Sequence, residues 1–240
     1  MNAVLVGIAG SHNAFSLSLY NLKVYALQDS AIQKNWNINV IQRPLIGLWK
    51  RKQLLDNLTA EIVSHKPNLV GFSCYMWNIE GCLKIAGKLQ KKFPNLRILL
   101  GGPEIATEYV QQSYFDKYAV DYCISGEGEL TFLELLKHLQ SGKPSINDID
   151  GLSYRFHKNL KFKVNSKRIP FKSLTAIPSP FLKGIVDEEV LARNDVEANL
   201  ETQRGCNLRC SYCIYHKDMD RVAYSKIEKI IKEVRYVIKR

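Results

Sequence analysis

The 240-residue chain carries 34 Lys and Arg against 23 Asp and Glu, a net charge of +11, and 46% of its residues are hydrophobic. That apolar share supports one large or two small cored domains and excludes a disordered chain. The excess charge comes mostly from lysines scattered on presumed helix faces, with no nucleic-acid motif and no basic block interleaved with aromatics. A basic solvated surface is therefore expected and a nucleic-acid partner is not, while an acidic or phosphorylated substrate is compatible with the charge. Residues 1–8 are apolar but short and not led by a basic region, so no signal peptide is expected. No run approaches the ~18 apolar residues of a membrane span. The expectation is a cytoplasmic protein, in which thiols stay reduced.

Residues 3–10 read as a buried strand ending in Gly10, and residues 16–34 carry helical periodicity through Leu17, Tyr20, Val24, Leu27 and Ile32. Residues 37–43 alternate as a second strand. Residues 50–65 form a helix with Leu54, Leu55, Leu58 and Ile62 inward, stopped before Pro67. A third strand spans 68–74, a helix 79–93 ends at Pro94, and a fourth strand spans 96–100. A short helix near 105–114, a fifth strand over 120–125 and a helix at 129–141 follow. Strands alternating with helices at this spacing predict a Rossmann-like α/β fold, a parallel sheet covered on both faces with right-handed crossovers. Ligands bind such sheets outside the carboxyl ends of the strands. Unusual residues collect there: Ser11 and His12 after the first strand, Ser73 and Tyr75 after the third, Gly101, Gly102, Pro103 and Glu104 after the fourth, and Gly126, Glu127, Gly128 and Glu129 after the fifth. Glycines at these positions let a bulky planar ligand approach the backbone.

Residues 143–198 read as a linker. Residues 150–156 and 160–165 alternate as a hairpin around residues 157–159, and a Pro-rich stretch at 177–181 is extended. No chemistry is assigned to this bridge. Residues 199–205 then read as a strand end running into a glycine turn. Cys206, Cys210 and Cys213 follow, spaced C-x3-C-x2-C, a loop expected to converge three thiolates on one point. Three thiolates suit an iron–sulfur cluster, and a [4Fe–4S] cluster so held keeps one iron open for a small-molecule ligand. Zinc with His216 as fourth ligand is the alternative, although structural zinc favours paired spacings. A disulfide fits less well, since nothing marks the chain as secreted. Cys74, Cys82 and Cys123 lie in apolar surroundings and read as core residues. Ser225 is expected to cap a helix at 226–239 with Ile227, Ile230, Ile231, Val234 and Ile238 inward.

With Tyr212 at the aromatic position, C-x3-C-x-aromatic-C resembles the signature of the radical S-adenosylmethionine (SAM) enzymes. The words Leu99-Leu100-Gly101-Gly102-Pro103-Glu104 and Ile124-Ser125-Gly126-Glu127-Gly128-Glu129, in that order upstream of it, resemble the cobalamin-binding domain of B12-dependent members. The likeness covers essentially the whole chain. It implies a cobalamin-binding domain at 1–142, the linker at 143–198, and from 199 to 240 the first β/α unit of a radical SAM barrel. Further barrel units would be needed to cover it, so the chain reads as the N-terminal part of a longer protein, inactive alone. The D-x-H-x-x-G motif of many B12 domains is absent, and His12 lacks that pattern, so the lower face of cobalt is unassigned.

The resemblance implies a [4Fe–4S] cluster on the three cysteines, with Tyr212 in the same loop. It also implies SAM on the open iron, cleaved to a 5′-deoxyadenosyl radical, and cobalamin at the strand ends. Methyl transfer to an unactivated centre of a small molecule or peptide is the expected reaction, with flavodoxin or ferredoxin as electron donor. A cobalamin carrier or sensor, and a non-methylating enzyme such as a cyclase or a methylthiotransferase-like protein, are the other readings. The sequence does not specify the substrate.

Overall fold

Residues 3–8 are buried without interruption, because the strand they form has a parallel neighbour on each side and helices on both faces. The structure is a computed structural model that describes residues 1–240 except 12, 14, 45–50, 106–107, 119, 156–161, 187, 194, 196, 209 and 214–220. Along the chain run β1 (Asn2–Ala9), α1 (Leu17–Ala26), α2 (Ser30–Asn35), β2 (Asn37–Pro44), α3 (Arg51–Ser64), β3 (Leu69–Ser73) and α4 (Ile79–Lys92). They are followed by β4 (Arg97–Gly101), α5 (Glu108–Lys117), β5 (Tyr122–Ile124) and α6 (Glu129–Ser141). The five strands are parallel, in the order β2-β1-β3-β4-β5.

The period-two side-chain alternation of β1 divides the core. Val4, Val6 and Ile8 pack with Leu58, Ile62 and Ile85 from α3 and α4, while Ala3 and Leu5 pack with Leu19, Ile32, Phe132 and Leu136 from α1, α2 and α6. The expected single helix over 16–34 is two helices. The Asp29 carboxylate accepts from the backbone N–H of Ala31 and Ile32, so it caps a new helix inside a pattern that reads as continuous.

The hairpin expected in the linker extends this same sheet. β6 (Leu152–Tyr154) pairs antiparallel with β5, and β7 (Lys163–Val164) pairs antiparallel with β6; the residues 157–159 expected to turn between them lie outside the described residues. After α7 (Glu188–Leu191), the strand entering the cysteine loop, β8 (Gln203–Arg204), pairs antiparallel with β9 (Ala223–Tyr224), which leaves it. The last element is α8 (Ile227–Ile238).

The expected burial of α8 is met only in part at Ile230, which is half-buried, and is reversed at the other four positions. Ile227, Ile231, Val234 and Ile238 are 36–78% exposed, and the helix instead seats Glu233, Tyr236 and Val237 against the body near Phe181. On that inward side Lys229 donates to the Ile177 carbonyl at 2.8 Å and stands 3.9 Å from Glu233. Lys226, with no side-chain cap hydrogen bond, takes the N-cap position expected of Ser225. Among the described residues no helix is long and apolar enough to cross a membrane.

Candidate cofactor cleft and cysteine loop

The carboxyl ends of β1, β3, β4 and β5 open, on the α1 side of the sheet, into a cleft of about 300 Å³. Leu5, Leu19, Leu99 and Ile124 give it an apolar floor, and its rim is made by Ser73, Tyr75, Gly101, Gly102, Pro103, Gly126, Glu127, Gly128 and Glu129. A second hollow of about 340 Å³ shares Ser18, Ser73 and Tyr75 with the first and continues along the end of β1 to Phe15 and Trp77. Together they form a wide, mostly apolar trough, the kind of lining that large ligands use.

Two features hold its shape. Gly102 sits at φ +100°, and a Cβ there would lie 2.7 Å from the Cys74 carbonyl oxygen and 2.9 Å from the Cys74 nitrogen. Only glycine combines that dihedral with that approach. The loop after β3 is tied by Asn78, 1% exposed, whose Nδ2 donates to the carbonyls of Ile8 (2.9 Å) and Ser73 (3.0 Å) while its Oδ1 accepts from the Tyr75 N–H (2.8 Å). Asn78 thereby locks the ends of β1 and β3 together and fixes the stacked rings of Tyr75 and Trp77, whose centroids are 4.6 Å apart. Its sequence signal was a polar residue just ahead of a helix, which by itself reads as a cap.

Several site expectations change on inspection. Ser11 is exposed and outside the cleft lining, and His12 and His216 lie outside the described residues. Glu104 is half-buried and absent from the lining; its carboxylate accepts from the Tyr114 hydroxyl at 3.4 Å. Burial first, then the Glu104 charge, pushes the Tyr114 phenol up to about 12.

Glu127 and Glu129 border the cleft, yet their carboxylates turn to Arg204 on β8. Arg204 Nη1 donates to Glu127 (3.1 Å) and Glu129 (3.2 Å), Nη2 to Glu129 and Glu201 (2.8 Å each), and Nε to Glu201 (2.8 Å). A guanidinium has five N–H donors, one on Nε and two on each Nη, and this set matches them one for one. The second Glu127 oxygen accepts from the Phe171 N–H at 2.5 Å. Burial works against the Arg204 charge, but its hydrogen bonds to Glu201 and the charge of Glu129 outweigh it and its pKa is raised. Burial likewise raises the Glu127 carboxyl, against the Phe171 N–H and Arg204. No short-range sequence pattern shows this cluster, since its carboxylates come from positions 3 to 77 residues away from Arg204.

The cysteine loop begins immediately after Arg204. Gly205 is buried at φ +99°, where a Cβ would run into the Arg221 carbonyl. Cys206, Cys210 and Cys213 are half-buried free thiols, and Tyr212 is 90% exposed. The Cys206 sulfur accepts from the Leu208 N–H at 3.4 Å, and the Cys213 N–H donates to the Cys210 carbonyl at 3.0 Å. Contrary to expectation, no group of three His, Cys, Asp or Glu residues among the described residues is gathered closely enough to hold a metal. Thiols do not attract one another, and spacing alone does not converge them without the cation that they would share. Cys74, Cys82 and Cys123 are fully buried, and burial pushes the Cys74 and Cys123 thiols up, which keeps them protonated.

The parallel sheet with its ligand trough at the strand ends is the fold of a B12-binding domain, and residues 19–136 match the family model described as B12 binding domain. The chain is a B12-binding-domain protein related to the radical SAM enzymes. It is 30% identical over 197 residues to the cobalamin-dependent radical SAM methyltransferase TokK of Streptomyces tokunonensis, covering 80% of this chain and 27% of that protein. It is 27% identical, with the same coverage, to the 2-(S-pantetheinyl)-carbapenam-3-carboxylate methyltransferase of Streptantibioticus cattleyicolor. The solved structure of the cobalamin-dependent S-adenosylmethionine radical enzyme OxsB shares the fold, with a TM-score of 0.68 at 18% identity, covering 99% of this chain and 31% of that one. The chain thus spans about a quarter of the length of these curated relatives.

Proposed function

We propose that the strand-end trough binds cobalamin, that Cys206, Cys210 and Cys213 hold a [4Fe–4S] cluster beside it, and that the whole protein is a cobalamin-dependent radical SAM methyltransferase. The observation that carries this reading is the shared wall: Arg204 lines the cleft and lies two residues before Cys206. Two residues of extended chain reach at most about 7 Å, so a ligand in the cleft and a metal on the loop are neighbours. The trough suits a corrin in being broad, open at the strand ends and mostly apolar, and the three thiols are the donor type that iron takes. By family resemblance, bound cobalamin supplies a methyl group, and the cluster with SAM supplies a 5′-deoxyadenosyl radical that activates the substrate. The substrate is a small molecule or peptide, the electron donor is of the flavodoxin or ferredoxin kind, and an oxygen-sensitive cluster suits a cytoplasmic setting.

A second reading, a cobalamin carrier or sensor without catalysis, is supported by the family match, which ends at residue 136 and leaves out the cysteine loop. Anaerobic incubation with ferrous iron, sulfide and hydroxocobalamin, followed by desalting, an absorption spectrum and metal counts, separates the two. A retained corrin spectrum with about four irons per chain supports the leading reading. Corrin without iron supports the carrier, and iron without corrin refutes the assignment of the trough.

A further inference from the structure

We propose that Arg204 is a positioning residue that clamps the cysteine loop onto the wall of the cleft, so that a ligand in the cleft is felt by the loop. The inference rests on the reading of cleft and loop given above and adds the element that couples them.

The geometry argues for positioning and against ligand contact. All five N–H donors of Arg204 are engaged by Glu127, Glu129 and Glu201, so none is left to meet a cofactor or substrate. A single buried guanidinium needs one counter-charge, and here it takes three from two separate segments. Glu127 stands on the glycine-rich loop after β5 that rims the cleft, Glu129 is the first residue of α6 at the end of that loop, and Glu201 precedes β8. The side chains of Glu127 and Glu129 are 4% and 5% exposed and that of Arg204 is 11%, so the clamp lies largely out of solvent and is little screened by salt. On one side it meets the Gly126-to-Glu129 rim; on the other the chain passes through Gly205, held at a left-handed dihedral against Arg221, into Cys206. Movement of the rim on ligand binding is therefore transmitted to the first cysteine through ion pairs and a backbone with little freedom. Lysine would keep the charge but offers three donors in place of a five-donor fork.

The test uses the full 240-residue chain as wild type, Glu129→Gln and Arg204→Lys, with thermal melts to confirm folding. In the first arm, amide hydrogen exchange at residues 205–213 is followed with and without hydroxocobalamin. Wild type should show exchange slowed about fivefold or more by hydroxocobalamin, a modest coupling by the usual scale. Glu129→Gln, compared with wild type at hydroxocobalamin concentrations that saturate each protein, should lose that protection. Equal protection in a variant that still binds corrin overturns the proposal. In the second arm the same proteins are loaded with ferrous iron and sulfide alone. Retained iron should fall several-fold in Arg204→Lys, and unchanged retention also overturns the proposal. If wild type fails to bind hydroxocobalamin while the iron arm behaves as expected, the assignment of the cleft fails and the clamp on the loop stands.

Discussion

Replacing Gly102 by alanine tests whether the trough depends on a close backbone approach. At φ +100° any L-residue pays a conformational cost, roughly 1–2 kcal/mol. The added Cβ would also lie 2.7 Å from the Cys74 oxygen and 2.9 Å from its nitrogen, both backbone atoms at the end of β3 that cannot rotate away. Relief requires loosening the bonds that join these loops, in which the Cys74 N–H donates to the Gly101 carbonyl (2.7 Å) and the Glu104 N–H to the Cys74 carbonyl (3.2 Å). Overpacking of this kind costs about 1–3 kcal/mol, so the sum is about 2–5 kcal/mol. Gly126→Ala is the control: φ there is +74° and a Cβ meets nothing within 4 Å, so only the dihedral cost applies. Urea unfolding should place Gly102→Ala about 1–3 kcal/mol below Gly126→Ala, and hydroxocobalamin affinity should fall more in the former. Equal stabilities within about 0.5 kcal/mol would refute the steric argument.

Asn78→Ala removes three hydrogen bonds, one to Ile8 at the end of β1 and two to Ser73 and Tyr75 at the end of β3, at about 1 kcal/mol each, and should loosen Tyr75 and Trp77; a loss below about 1 kcal/mol in urea unfolding would show that the loop holds itself. Arg204→Met leaves buried carboxylates without their cation, a loss of about 3–5 kcal/mol near neutral pH. The Glu127 pKa, already raised by burial, then rises further. A raised folded pKa contributes stability that is full below the unfolded value and is lost as pH rises through the folded one, so the melting gap to wild type should narrow as pH falls from about 7 toward about 5. A gap that does not change with pH contradicts this. Serine at Cys74, Cys82 or Cys123 should leave reconstituted iron unchanged, since these thiols are buried and, at Cys74 and Cys123, pushed up toward the protonated form; iron lost in a variant that stays folded would contradict it.

The sheet was legible because its strands are short apolar runs punctuated by Pro67, Pro94 and strand-end glycines, a pattern set by burial on both faces. What the sequence hid was non-local. Asp29 interrupts a helix whose apolar period continues through it, because a capping carboxylate does not alter hydrophobicity. The period of α8 shows an apolar stripe but not what the stripe faces, and packing turns Glu233 inward in place of Ile231 and Val234. Glycines 101, 102, 126 and 128 stand at the strand-end rim together with Glu127 and Glu129, but the pairing of those glutamates had no sequence signal, because their partner, Arg204, is 75 residues or more away in the chain.

Electron paramagnetic resonance reads the distance between the cleft and the cysteine loop. Cob(II)alamin and a reduced [4Fe–4S] cluster each carry an unpaired spin. With both groups loaded on the 240-residue chain, the cob(II)alamin signal should be split or broadened when the cluster is reduced and restored when the cluster is oxidised. A cob(II)alamin signal indifferent to the cluster's redox state, in protein shown to hold both groups, would place them apart and contradict the shared wall at Arg204.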